Sequence, residues 1–190
     1  MSHLILIRHS VTRQVPGVSS HEWELTEEGR DRCKALADQL RPYRIAAIAT
    51  SDEQKAVATA SILVAHLGVA APLIVEPGFR ETRRVTAPYF QNSDEFREAI
   101  RAAMLSPNRL LYGEESFTEA RLRFSRSLFQ LVTANPNKTL AVVTHGTIMS
   151  LLLGYAAGLD TYKTWTALDM PAYAVLTPNL DLLDLKTSVG

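Results

Sequence analysis

The sequence predicts an α/β chain, a three-layer α/β/α sandwich around a mostly parallel central sheet, and three observations carry that reading. Short, continuous apolar runs rich in β-branched residues have the character of strands covered on both faces. Between them lie segments whose apolar residues recur at helical spacing behind recognisable N-terminal caps. The two kinds of segment alternate, which is the pattern of βαβ units.

Taken in order, "LILI" (4–7) reads as the first strand. Thr26, followed by Glu27 and Glu28, marks a helix start, because acidic residues favour the positive end of the helix dipole. Cys33, Leu36, Ala37 and Leu40 then share one face. Ile45–Ala49 is the next strand. Ser51 and Gln54 fit a capping box, placing Lys55 in a first turn ahead of an Ala56, Ala60, Leu63 and Leu67 stripe. Pro72–Val75 reads as a further buried strand. "SDEFREAIRAAML" (93–105) groups Phe96, Ile100, Ala103 and Met104, with Pro107 beyond its end. Ser116 and Glu119 fit a second capping box before Phe117, Ala120, Phe124, Leu128 and Leu131. Leu140–Thr144 and Tyr173–Leu176 complete the strands, and residues 172–185 can fold back as an antiparallel hairpin around Pro178 and Asn179. "VPGVSS" (15–20) and "TAPYFQNS" (86–93) read as loops within one domain spanning 1–190.

Composition narrows the function classes. With 46% hydrophobic residues in 190, the chain is long enough for one well-packed core. Its 20 basic and 20 acidic residues cancel, so no global field recommends nucleic acid or an anionic membrane as partner. One cysteine, Cys33, precludes an internal disulfide and any multi-cysteine zinc site, and its place on the apolar stripe suggests a buried thiol. The first apolar run lacks the basic start and cleavage site of a signal peptide, and no segment approaches the ~20 apolar residues of a membrane span. The expectation is a cytoplasmic protein.

Two junctions carry the chemistry. "LILIRHS" and "TLAVVTHGT" each run a hydrophobic strand straight into a histidine, His9 and His145. In open α/β sheets ligands sit outside the carboxyl ends of the strands, so two parallel strands would deliver both imidazoles to one edge. Arg8 beside His9 gives that edge a guanidinium, so the edge would present both groups to something anionic.

These segments resemble the histidine phosphatase superfamily, also called phosphoglycerate mutase-like. "RHS" (8–10) resembles its Arg-His-Gly opening, "LTEEGRDRCKALADQL" (25–40) its Leu-Thr-x-x-Gly helix, and "SDEQKAVATA" (51–60) its Ser-x-x-x-Arg-Ala-x-x-Thr-Ala segment. "FRETRR" (79–84) resembles the acid loop, "GEES" (113–116) the Gly-Gly-Glu-Ser loop, and "VVTHGT" (142–147) the second histidine block. They stand in the family's order over nearly the whole chain.

The resemblance implies a phosphoglycerate mutase-like fold and a covalent route. Neutral His9 attacks phosphorus and becomes phosphohistidine. Arg8 and His145 hold the phosphoryl oxygens, and the first amides of the helix opened by Gly146 and Thr147 favour the same anion. Glu81 is the candidate proton donor to the departing oxygen and later the base for water, a role asking for a carboxyl that keeps a proton near neutral pH. Glu76 is the rival, and the Arg-Glu pair at 80–81 favours Glu81. The further phosphate-binding candidates are Lys55, Ser10, Thr12 and Gly146.

Departures from the pattern matter too. Lys55 occupies the second phosphate-binding arginine position, offering a point charge in place of a planar fork. Ser10 replaces a glycine; a left-handed backbone there would cost serine about 1–2 kcal/mol, and otherwise its hydroxyl is free to meet ligand. Val15 stands where many members have asparagine. His21 borders the first loop, and His3 and His66 read as structural. Arg83, Arg84, Arg97, Arg101 and Arg109 crowd the middle region, where some would cap the site. No cofactor is expected, and no metal site, since helix-face ligand spacing such as His-Glu-x-x-His is missing.

The sequence therefore favours a metal-independent phosphomonoesterase acting on a small-molecule phosphoester. A phosphoglycerate mutase and a weakly active phospho-ligand-binding module are the alternatives.

Overall fold

The computed structural model describes residues 2–87, 90 and 92–189. Six strands, β1 (Leu4–Arg8), β2 (Ala47–Thr50), β3 (Ile74–Val75), β4 (Leu140–Thr144), β5 (Ala172–Leu176) and β6 (Leu182–Lys186), form one sheet in the order β3-β2-β4-β1-β5-β6. β3, β2, β4 and β1 run parallel, and β5 and β6 are antiparallel additions. The final hairpin is therefore present as expected, turning at Pro178 and Asn179.

Alternation along each strand divides the core. Ile5, Ile7, Ile48, Ala141, Val143 and Val175 face α1 (Glu27–Leu40) and α2 (Gln54–Leu67). Leu4, Leu6, Ala49, Leu140, Val142 and Ala174 face the other layer, built from α3 (Ser93–Leu105), α4 (Phe117–Ala134), α5 (Gly146–Ala157) and α6 (Thr161–Ala167). That is the three-layer sandwich, and Cys33 is fully buried within it.

Local rules explain the element starts. Thr26 accepts the Gly29 amide at 2.9 Å, and Ser116 and Glu119 form a reciprocal capping box. Two expectations fail. Ser51 does not cap α2; it accepts the Glu53 amide at 3.2 Å, and Glu53 stands at the cap position without a side-chain capping bond to a helix amide. The reason is competition, since the Ser51 hydroxyl also meets His145. The Pro72–Val75 run shrinks to the two residues Ile74–Val75, whose exposed side chains mark an edge strand in place of a buried one. Of the loop expected at 86–93, residues 88, 89 and 91 lie outside the described residues.

One glycine in the fold has a clear steric reason. A Cβ at Gly29 would stand 2.3 Å from the Val11 carbonyl oxygen, so only glycine lets α1 sit against the segment leaving β1.

Candidate active site

The register of β1 against β4 pairs Arg8 with Thr144, and the His9 amide donates to the Thr144 carbonyl at 2.9 Å. Both histidines follow immediately, so their rings meet, with centroids 5.2 Å apart at 64°. The residues are far apart in the chain and adjacent in space because parallel strands end together.

Each imidazole is held differently. His9 Nδ1 lies 2.8 Å from the Ser10 carbonyl oxygen. A carbonyl only accepts, so Nδ1 carries the hydrogen and Nε2 keeps its lone pair. His9 lines the cleft. Burial, reinforced by His145, Lys55 and Arg8, holds its pKa well below the usual histidine value. The ring is therefore neutral near neutral pH, as a nucleophile must be.

His145 caps α5. Its Nε2 lies 2.9 Å from Ser51 Oγ and 3.3 Å from Glu53 Oε1. Its Nδ1 is buried without an acceptor or donor among the described residues. Burial first, then Lys55, Arg84, His21 and Arg8, hold this ring also well below the usual value. The Glu53 carboxylate stands beside this ring as an acceptor.

Arg8 lines the same cleft. Its Nη1 donates to the Leu168 carbonyl at the end of α6, while the buried Nε has no partner among the described residues. A Cβ at Gly146 would come within 3.0 Å of the Arg8 Cζ and Nε, so glycine leaves room for the guanidinium. Burial is the main cause that lowers the Arg8 pKa, against the pull of Glu81 and Asp169; an arginine stays charged regardless.

Glu81 sits on the N-terminus of α5. Its carboxylate accepts the Thr147 amide at 2.9 Å, the Ile148 amide at 3.0 Å and the Thr82 amide at 2.9 Å. The helix amides expected to meet an external anion are thus engaged by the chain's own carboxylate. Glu76, the rival, turns away to accept the Gly78 amide at 2.7 Å and does not line the cleft.

The loop bearing Glu81 is braced from behind. Arg123 on α4 donates to the carbonyls of Gly78 at 2.8 Å, Arg80 at 3.1 Å and Glu81 at 3.0 Å. Glu115, from the "GEES" segment, accepts from Arg123 at 2.6 Å and from the Arg83 amide at 2.9 Å. A Cβ at Gly113, where φ is +92°, would collide with the Arg83 carbonyl at 2.0 Å. That segment therefore props the acid loop.

Lys55 lines the cleft, yet its Nζ is 2.5 Å from Glu53 Oε2 and 2.5 Å from the Ser20 carbonyl. Burial lowers its pKa and Glu53 opposes the effect. Glu53 is the residue that sequence reading missed. Its side chain, 1% exposed, also accepts the Glu81 amide at 3.0 Å and faces His21 at 3.9 Å. Burial is the largest single influence and penalises its charge, but Lys55, His21 and the Glu81 amide together outweigh it, leaving its pKa below the ordinary carboxylate value.

The remaining candidates divide. Thr12 and Gly146 line the cleft, as do His21 and Arg84. Ser10 does not. Its buried hydroxyl donates to the Gly29 carbonyl at 2.7 Å, which takes it away from any ligand and corrects its assignment as a phosphate contact. Among the described non-glycine residues only Arg44, Asn137 and Leu180 have positive φ, so serine at position 10 carries no left-handed cost. Val15 is also outside the cleft lining. Arg97 and Arg101 pair with Asp94 and Glu98 on the surface of α3, and His66 is exposed.

The cleft encloses about 580 Å³, within the range of small-molecule sites. Arg8, His9, Lys55, Glu81 and His145 line it, together with the aromatic residues Trp23, Phe90, Phe96, Tyr112 and Trp165. Among the described residues no group of histidine, cysteine and carboxylate side chains could hold a metal ion, and no helix is long and apolar enough to cross a membrane.

Comparison with known proteins follows the geometry. A search of curated protein sequences finds no significant match. The chain superposes on a mycobacterial glucosyl-3-phosphoglycerate phosphatase with a TM-score of 0.78, 19% identity and 100% coverage of both chains. YhfR of Bacillus stearothermophilus gives 0.75 at 22% identity, covering 100% of this chain and 98% of that one. A phosphoserine phosphatase from Entamoeba histolytica, in complex with 3-phosphoglyceric acid, gives 0.74 at 18% identity, covering 99% and 98%. At such identities the likeness establishes the fold. The family model of the histidine phosphatase superfamily (branch 1) matches residues 4–181, and the chain belongs to that superfamily.

Proposed function

We propose that the chain is a metal-independent phosphomonoesterase working through phospho-His9 on a small-molecule phosphoester. The observation that supports this most is the pair of strand-end histidines at 5.2 Å, with His9 Nε2 left unprotonated beside Arg8. The Nε2 lone pair attacks phosphorus, and the bond from phosphorus to the ester oxygen breaks. The departing alkoxide takes a proton from the Glu81 carboxyl. Water then attacks the phosphohistidine, giving its proton to Glu81 and releasing inorganic phosphate, which restores both groups.

Arg8 and a protonated His145 stabilise the charge spread over the equatorial oxygens in both steps. For His145 the proton arrives with the ligand. Glu53 on the Nε2 side accepts one N–H of the imidazolium, leaving Nδ1–H for the phosphoryl group.

The test is release of inorganic phosphate from p-nitrophenyl phosphate and from 3-phosphoglycerate. Hydrolysis that vanishes in His9→Ala supports the reading. Conversion of 3- to 2-phosphoglycerate without free phosphate assigns a mutase instead, and phosphate binding without turnover assigns a binding module.

A further inference from the structure

Resting on the phosphoryl-transfer reading above, we propose that Arg84 is the second phosphate-binding guanidinium of this site, taking over the task for which position 55 carries only a neutralised lysine. Four buried side-chain polar atoms among the described residues have no hydrogen-bond partner: Arg8 Nε, Thr82 Oγ1, Arg84 Nη1 and His145 Nδ1. Arg8, Arg84 and His145 all line the cleft. Buried donors without acceptors are costly and uncommon, so their convergence on one space defines what enters it. What fits is a group rich in acceptor oxygens.

Lys55 is poorly placed to supply the second charge. Its ammonium has three donors, and Glu53 and the Ser20 carbonyl engage two of them. The pair with Glu53 is buried on both sides, with side chains 5% and 1% exposed, so the charge of one cancels the other at short range. Glu53 cannot be drawn off without also releasing the Glu81 amide and His145. The lysine is thus bound into the wall of the cleft.

Arg84 is in the opposite state. Among the described residues its guanidinium makes no ion pair, and its cation lies over the Phe96 ring at 5.6 Å. The Tyr112 hydroxyl hydrogen-bonds to this guanidinium, and the buried Nη1 is the donor left over for a ligand. It lines the same cleft as Arg8, Lys55 and His145, and its charge acts on all three. The Glu114 carboxylate holds the next turn of this loop by accepting the Val85 amide at 2.9 Å and the Thr86 amide at 2.5 Å, so the arginine stands on an anchored segment.

Inorganic phosphate is the probe, because it has no leaving group and reports the phosphoryl contacts alone. Competitive inhibition by phosphate and kcat/KM with p-nitrophenyl phosphate are measured for wild type, Arg84→Gln, Arg84→Lys and Lys55→Gln, with circular dichroism as a folding control. The expected result is a phosphate Ki raised on the order of 30-fold in Arg84→Gln, partial recovery in Arg84→Lys, and a smaller loss in Lys55→Gln. Folded Arg84→Gln with unchanged phosphate Ki overturns the assignment, including the case where only KM for the aryl ester moves, which would make Arg84 a wall residue. A larger loss in Lys55→Gln returns the role to Lys55. Wild type that neither turns over esters nor binds phosphate overturns the phosphatase reading and this assignment together.

Discussion

The ends of β1 and β4 look alike as sequence and differ as chemistry. Each delivers a histidine to the same edge, yet His9 is fixed by the carbonyl of the next residue and keeps Nε2 open. His145 begins a helix and is fixed by Ser51 and Glu53 through Nε2, leaving Nδ1 without a partner among the described residues. On the proposed mechanism the carbonyl-held neutral tautomer of His9 is the nucleophile, and Glu53 accepts an N–H of His145 when ligand binding protonates that ring. The proposed division of labour would thus come from what stands behind each ring.

Breaking the comparison at its stronger side comes first. His9→Ala removes the attacking atom and should lower kcat on the order of 10⁴-fold or more in a steady-state phosphate-release assay. His145→Gln keeps a polar group but loses the cationic donor, and about 10²–10³-fold in kcat is expected. Similar, small losses in both would erase the asymmetry.

Glu53→Gln sharpens it. The amide preserves shape while removing the charge shared by His145 and Lys55, so kcat should fall by roughly tenfold. The more telling readout is pH. Phosphate binding to wild type should draw a proton onto His145, so affinity should rise as pH falls below the ordinary histidine value. In Glu53→Gln that slope should flatten, as isothermal titration at several pH values would show.

The smallest effect concerns stability. Both histidines have folded-state pKa values well below the ordinary value of 6.5. Above 6.5 neither state binds these protons. Below it the unfolded chain takes them up first, so stability present at neutral pH is lost as pH falls toward the folded values. Thermal melts at pH 7.5 and 5.5 should show a lower Tm at the acid end, and a His9→Gln/His145→Gln double variant should reduce that difference.

Much of this was legible. The apolar runs located β1, β4 and β5 closely because their residues are buried on both sides, and the two strand-to-histidine junctions became neighbours through parallel register alone. Glu53 was not legible. An acidic residue before a helix resembles ordinary dipole compensation, and only the convergence of β2 and β4 turns it toward His145. Arg123 hid between Ala120 and Phe124 on an amphipathic helix, where a charge beside the apolar stripe reads as solvated; its pairing with Glu115 depends on a loop folding back. Ser10 misled because its hydroxyl, next to the key histidine, finds its partner in the Gly29 carbonyl.

The most direct measurement is to locate the phosphoryl group in protein quenched during turnover, by mass spectrometric mapping and phosphorus NMR of the phosphohistidine isomer. A phosphoramidate on Nε2 of His9 is the predicted result. Label on Nδ1 of His9, or on His145, would contradict the account.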